Sequence, residues 1–367
     1  MKESRAQLHH IPELDGVRGI AVLAVMFLHF HAPYIAARPL GVLSDIIGRG
    51  YTGVDIFFVL SGFLITSILI STRGASNYFS AFYARRSLRI FPLAFVTIAL
   101  FYWLALPFAH RHGLLLKLPE SEQVWYWLFL GNWRQGLGFN DGAELGHFWS
   151  LAIEEQFYLM FSLLARYLPR RSLAAVSAGL AVLSIGLRFV VAATGHTLDG
   201  QAWRLTILHL DPIALGALLA CSGGFLAWAG RWRWPLMVLG VAGLFLPLPA
   251  GLQILAGGIG ATGLVATAAT RGAALLRNPV LRSCGKYSFA MYVVHPAWVV
   301  APLAKKYPHS TALMLGALVL GPVVSYGMAV VSWNVLEKHF LRLKGRFPYR
   351  YAPAGDATEK IIIEPAG

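Results

Sequence analysis

The 367-residue chain has little charge. Asp, Glu, Lys and Arg make up 13% of it, about half the share of an average soluble chain. That deficit excludes a fully solvated globular surface and points to the bilayer. Acidic residues are the scarcer sign, 17 against 31 basic ones, for a formal net charge of +14. The excess does not signal a nucleic-acid binder, because the basic residues sit in short clusters between apolar segments rather than on one stripe. Cysteine is nearly missing: Cys221 and Cys284 lie far apart, so neither a disulfide framework nor a thiolate metal site is expected. The histidine pairs 9–10, 29–31 and 110–112 point apart on a helix, and no further ligands recur at a suitable spacing, so no metal is expected. Gly285-Lys286-Tyr287-Ser288 lacks the upstream glycine of a phosphate-binding loop. No internal repeat is present.

What the chain has in quantity is apolar runs, with 57% hydrophobic residues. Runs long enough to span the hydrocarbon core cover 16–35, 51–71, 90–108, 147–168, 172–193, 205–228, 234–250, 252–270, 287–304 and 311–336. The expectation is an all-α integral membrane protein of about ten transmembrane helices. A shorter, tryptophan-rich piece at 122–133 reads as re-entrant or interfacial. Most of the 31 lysines and arginines fall in alternate connections, which places both termini in the cytoplasm. Asp15, Arg18, His29 and His31 argue against a cleaved signal peptide at the first run. The membrane domain is assigned to 1–345 and a flexible cytoplasmic tail to 346–367. The connections leave no room for a soluble catalytic domain, so the chemistry is expected inside the membrane.

Ionisable residues inside apolar spans are costly and usually functional. Arg18 and His29 are eleven positions apart, nearly three helical turns, so they share one face roughly 16 Å apart. Asp55 in the second run requires an arginine or histidine from a neighbouring helix, either as a structural pair or in a direct role. Arg86 and Arg89 share a face at the start of the third run, with Arg85 about 100° from Arg86. Such a cluster serves either as a positive-inside signal or as a clamp for phosphates. Pro92 just beyond it is expected to kink or open the helix. In the fourth run His147, Ser150, Glu154 and Tyr158 share a face, which makes Glu154 the candidate for proton transfer or acceptor binding. Glu155 faces apolar company and is expected to pair with an arginine of another helix. Ser288, Tyr292 and His295 share a face in the ninth run. His295 precedes Pro296 and is suited to satisfying a carbonyl of the broken turn. Asp211 before Pro212 is expected to cap a new helix. The glycines at 257, 258, 260 and 263 suit close helix packing.

Five stretches together resemble the membrane acyltransferase family three, bacterial proteins that O-acylate surface glycans. They are LDGVRGIAVLAVMFLHF (14–30), GVDIFFVLSGFLIT (53–66), FYARRSLRIFPL (82–93), FWSLAIEEQFYL (148–159) and GKYSFAMYVVHP (285–296), in the family's order. The resemblance implies a ten-helix multi-pass protein of the bacterial inner membrane. It implies acyl transfer from cytoplasmic acyl-CoA, most simply acetyl-CoA, to a hydroxyl of a glycan or lipid-linked glycan. The family's Arg-x10-His pattern falls on Arg18 and His29, and its Arg-x-x-Arg pattern on Arg86 and Arg89, with Arg85 beside them. His29, Arg18 and Glu154 are then the catalytic candidates, and Arg85, Arg86 and Arg89 hold the acyl-CoA. Asp55, Ser150, Glu155, Tyr292 and His295 support the site or contact substrate. Partners are acyl-CoA, the glycan acceptor and the bilayer, with no nucleic acid. The alternative from another class is a proton-coupled secondary transporter with Asp55, Glu154 and His29 as a relay; the missing inverted repeat counts against it.

Overall fold

A computed structural model describes residues 10–37, 40–112, 120–139, 145–194, 202–295, 306–307 and 310–351. Among these the protein is all-helical, with no strand. The principal helices are α1 (Pro12–His31), α2 (Thr52–Thr72), α3 (Tyr78–Leu100), α4 (Phe148–Tyr167), α5 (Arg170–Ala193) and α6 (Asp211–Cys221). They continue with α7 (Gly223–Arg231), α8 (Arg233–Phe245), α9 (Ala250–Thr270), α10 (Pro279–Val294) and α11 (Thr311–Ser332).

Every apolar run in the sequence contains part of a helix, yet not every helix qualifies as a span. Six helical stretches among the described residues are long and apolar enough to cross a membrane: Pro12–Tyr34, Val42–Thr72, Tyr78–Arg111, Arg170–Ala193, Ala250–Thr270 and Thr311–Arg346. Helices α6 and α7 meet at 109° and make a seventh if taken as one broken span. The shortfall against ten has physical causes. Helix α8 has 13 residues and α10 has 16, about 20 and 24 Å of rise against a core of ~30 Å. Helix α4 is long enough but carries Glu154, Glu155 and Arg166.

The third helix also differs from the sequence reading. It begins at Tyr78 rather than near residue 90, runs through Pro92 without ending, and passes into a π-helical turn at Phe101–Ala105. Arg86 and Arg89 therefore sit about 12 and 16 Å along α3, inside the bundle rather than before its first turn. The tryptophan-rich piece folds as two short helices, Gln123–Trp127 and Gly131–Gly136. Gln156 of α4 fixes them by donating to the carbonyl of Phe129 and to Asn132 Oδ1, both at 2.9 Å.

Helix α1 lies at the centre, against α2, α9, α10 and α11, while α2 makes its most extensive contact with α6. Glycines let these backbones touch. A Cβ on Gly62 would stand 1.9 Å from the carbonyl oxygen of Ile213, and one on Gly216 would stand 2.0 Å from that of Val59. The α2–α6 crossing is thus reciprocal, one glycine from each helix. The α1–α10 pair repeats the arrangement with Gly19 facing Leu281 and Gly285 facing Asp15. In α9, Gly260 meets Gly240 of α8 as the packing expectation requires, whereas Gly257 makes room for the Asp55 carboxylate.

At the far end of the chain, Ser76 and Asn77, in the turn between α2 and α3, tie down residues 348–350. Asn77 Nδ2 donates to the Pro348 carbonyl at 2.9 Å, the Arg350 amide donates to Asn77 Oδ1 at 2.8 Å, and the Ser76 amide donates to the Arg350 carbonyl at 2.8 Å. Part of the segment read from sequence as a flexible tail is therefore docked, and 352–367 lies outside the described residues. The glycine crossing gives a stability test. Gly216→Leu should force α2 and α6 apart and cost on the order of 1–3 kcal/mol or more, read as a lower thermal midpoint in detergent. Gly179→Leu, where nothing lies within 4 Å, should leave the midpoint unchanged.

Candidate active site

Helices α1, α2, α3, α4 and α10 surround one open-mouthed cavity of about 110 Å³. Its polar wall is built by helical phase. Helix α1 supplies Arg18, α2 supplies Ser61, α3 supplies Arg86 and Arg89, and α10 supplies Ser288 and Tyr292. Helix α4 supplies Ser150, Glu154 and Tyr158 at successive turns. The remaining wall is apolar, from residues such as Val54, Phe57, Leu60 and Phe289.

Charge in the cavity is unbalanced. Three guanidinium groups face it with one carboxylate, Glu154. That carboxylate is already engaged, accepting from Ser61 Oγ at 2.9 Å and from the Tyr158 hydroxyl at 3.0 Å. Arg86 lies over the Tyr158 ring, 5.0 Å from its centroid, a cation–π contact. Arg18 is anchored from outside the cavity, donating to Asp15 Oδ1 at 3.0 Å, and Asp15 also holds His10 at 2.6 Å. Among the described residues neither Arg86 nor Arg89 has a carboxylate within ion-pair distance. Such a pocket favours a polyanion, because arginine forks bind phosphate oxygens with charge-assisted, bidentate bonds.

Two residues of the cavity wall, Ser150 and Tyr292, have hydroxyls 2.6 Å apart. The Tyr292 hydroxyl lies 2.8 Å from the His147 carbonyl and Ser150 Oγ 3.4 Å from the same oxygen, so either hydroxyl can donate to the other. Past this contact lie three imidazoles. The His295 ring is 4.8 Å from that of His29 and 4.6 Å from that of His147, centroid to centroid. His29 Nδ1 and His295 Nε2 are 2.7 Å apart. His295 Nδ1 is 2.7 Å from the carbonyl of Tyr292, which fits the role its position before Pro296 suggested. His29 is half-buried and is not one of the residues that line the cavity.

The structure thus gathers Arg18, Arg86, Arg89, Glu154, Ser150 and Tyr292 around one cavity and sets His29 and His295 side by side. Three other expected residues lie apart. Arg85 donates to the Lys344 carbonyl at 3.2 Å and lies over the Tyr349 ring. Asp55 finds the histidine partner its burial requires, His209, at 3.0 Å, away from the cavity. Glu155 has a buried oxygen without a hydrogen-bond partner, and no arginine pairs with it among the described residues. Asp211 does not cap α6; its side chain takes two bonds from Arg188 instead, at 2.6 and 2.8 Å. His209 and the pairing of Arg188 left no signal in the sequence, since both depend on which helices meet. Tyr158 lies on the face that the periodicity gives it with Ser150 and Glu154, whereas the role of Ser61 as a partner of Glu154 left no signal in the sequence.

Residues 11–333 match the family model described as an acyltransferase domain, the acyltransferase-3 family. The chain belongs to that family, and with its apolar helices it is a multi-pass membrane protein. Among curated proteins, it is 33% identical over 227 residues to the O-acetyltransferase OatA of Staphylococcus aureus strain NCTC 8325, a match covering 58% of this chain and 34% of that protein. It is 28% identical over 230 residues to a putative O-acetyltransferase of Staphylococcus aureus strain COL, covering 58% and 35%. The match thus spans about a third of the length of these relatives. No solved structure matches the chain.

The Arg188–Asp211 pair is structural in this geometry, buried between α5 and α6. Asp211→Asn should strand a buried guanidinium and cost about 3–5 kcal/mol, seen as a fall in thermal midpoint. The double variant Arg188→Met, Asp211→Leu should recover most of that loss.

Proposed function

We propose that this protein is an integral membrane O-acyltransferase of the bacterial inner membrane. It moves an acyl group, acetyl in the first instance, from cytoplasmic acyl-CoA to a hydroxyl of a cell-surface or secreted glycan. The observation that carries the reading is the arginine-lined cavity whose wall residue Tyr292 has its ring 6.2 Å from that of His295, the partner of His29. The names of the relatives, both O-acetyltransferases, favour acetyl as the group moved. In this reading the chain crosses the membrane about ten times, with α4, the bent α6–α7 pair and the shorter helices α8 and α10 added to the six long apolar stretches, and both termini are cytoplasmic.

Each residue then has a chemical task. Arg18, Arg86 and Arg89 hold the phosphates of the donor, which cannot enter an apolar bundle unaided. The narrow pantetheine arm extends along the wall formed by Glu154 and Ser150 and brings the thioester toward the histidines, on the scale of the ~16 Å between Arg18 and His29. Movement of Ser150 and Tyr292 opens the way. His29 takes the proton of the acceptor hydroxyl as its oxygen attacks the thioester carbon. The carbon–sulfur bond breaks, the electron pair leaves on the CoA sulfur, and the sulfur receives the proton from His29. The products are an ester and CoA, with no acyl-enzyme required. A proton-coupled transporter would need Asp55, Glu154 and His29 in series, whereas each is bound to a different partner.

Two measurements test this. Purified full-length protein in detergent, with no gradient, should consume acetyl-CoA, and His29→Asn should abolish that turnover while remaining folded. Arg86→Ala and Arg89→Ala should each weaken acetyl-CoA binding roughly tenfold or more, the scale of losing a charge-assisted hydrogen bond. Unchanged affinity in both would return the arginines to a lipid-anchoring role. Mass spectrometry of surface-glycan esters with and without the protein identifies the acceptor.

A further inference from the structure

The hydrogen bonds around His295 fix where its protons are, and through it where those of His29 are. A backbone carbonyl can only accept. The 2.7 Å contact between His295 Nδ1 and the Tyr292 carbonyl therefore places a proton on Nδ1. That carbonyl needs a donor because its helical partner four residues on would be Pro296, which has no N–H. A neutral His295 protonated on Nδ1 has its lone pair on Nε2. His29 Nδ1, 2.7 Å from that atom, must then carry the hydrogen between them. The ring geometry agrees. The two planes are within 12° of one another with centroids 4.8 Å apart. Two imidazoles joined edge to edge by such a bond have centroids roughly 5 Å apart, so this is an in-plane hydrogen bond rather than face stacking.

Resting on the acyltransferase reading above, we propose that His295 is the positioning residue of the transfer centre. It holds His29 in the Nδ1–H tautomer, so that Nε2 is the unprotonated atom that meets the acceptor hydroxyl. The order is Tyr292 carbonyl, His295, His29, substrate. In the transfer step the hydroxyl proton moves to His29 Nε2, the new carbon–oxygen bond forms, and the carbon–sulfur pair leaves on CoA. His295 neither gains nor loses a proton and remains the acceptor of the His29 Nδ1–H throughout. This is the part a carboxylate plays beside a catalytic histidine in water-exposed enzymes. A neutral imidazole performs it inside an apolar bundle without burying another charge. The His147 ring packs on the far side, and its Nε2 lies 3.2 Å from the Val293 carbonyl, so its N–H is spent on the backbone at the end of α10.

The test uses the full-length protein, with acetyl-CoA as probe and release of free CoA thiol as the rate. His295→Leu removes the acceptor; His295→Gln places an amide oxygen near the same point. The expected result is a loss of roughly 10- to 100-fold in kcat for the leucine variant, with the acetyl-CoA Kd changed less than about twofold and a substantial part of the rate regained by the glutamine variant. Solid-state ¹⁵N NMR of histidine-labelled wild type in lipid, with His29 assigned through His29→Asn, should show His29 protonated on Nδ1 at neutral pH. A His29 signal protonated on Nε2 overturns the proposal. So does a full rate in His295→Leu alongside an inactive His29→Asn. Should the leucine variant not fold, the wild-type tautomer decides. A full rate in His29→Asn is a different failure: it removes His29 from the chemistry, and the positioning role goes with the base assignment.

Discussion

Arginine inside an apolar bundle needs either a carboxylate or access to water, and the interior of this protein is organised around that need. Arg18, Arg86 and Arg89 face one cavity with too few anions to match them. Mutual repulsion in a poorly polarisable surrounding keeps such groups apart unless something holds their helices together. What holds them is close packing of backbones. The α2–α6 and α1–α10 pairs touch through glycines, close enough that no side chain fits between the backbones. Dispersion contact and backbone proximity are the means of association left to helices in lipid, where apolar burial against a neighbour gains little. Of the helices lining the cavity, α1 and α10 are joined in this way, and α2 is joined to α6.

The other buried charges show the opposite solution. Arg188 meets Asp211 with two bonds, and Asp55 meets His209. These pairs lie outside the cavity. The contrast separates structural from chemical charge more sharply than burial does. Groups that satisfy one another brace α2, α5 and α6, while groups left with spare hydrogen-bonding capacity surround empty space. Glu154 stands between these cases, its oxygens taken by Ser61 and Tyr158 but its charge close to the arginines.

Helical phase was the legible part of the site. The periodicity puts His147, Ser150, Glu154 and Tyr158 on one face and Ser288, Tyr292 and His295 on another; all but the two histidines line the cavity. Phase is local, so the sequence alone sets it. The start of α3 was less legible, because ARRSLR reads as a charged cap to an apolar run until other helices are present to surround it. Asp211 looked like a helix cap for the same reason; a guanidinium from α5 outbids a capping role that only the neighbourhood can reveal. The pairing of His29 with His295, 266 positions apart in the chain, needs α1 and α10 to be adjacent, which no periodicity states. The apolar runs marked where helices form, but length and charge determined which of them meet the measure of a span.

The contact between Ser150 and Tyr292 has a meaning beyond reactivity. On one side of it is a cavity lined with cationic groups, and on the other a cluster of imidazoles around a half-buried His29. A continuous wet column through these helices would be a conduit for protons, and a cell that stores energy as a proton gradient would lose it through every copy of the protein. A hydrogen bond between two neutral hydroxyls, 2.6 Å long, stands between the two groups. In the transfer reading proposed above, the same two hydroxyls bear on the passage of a donor and on the passage of protons.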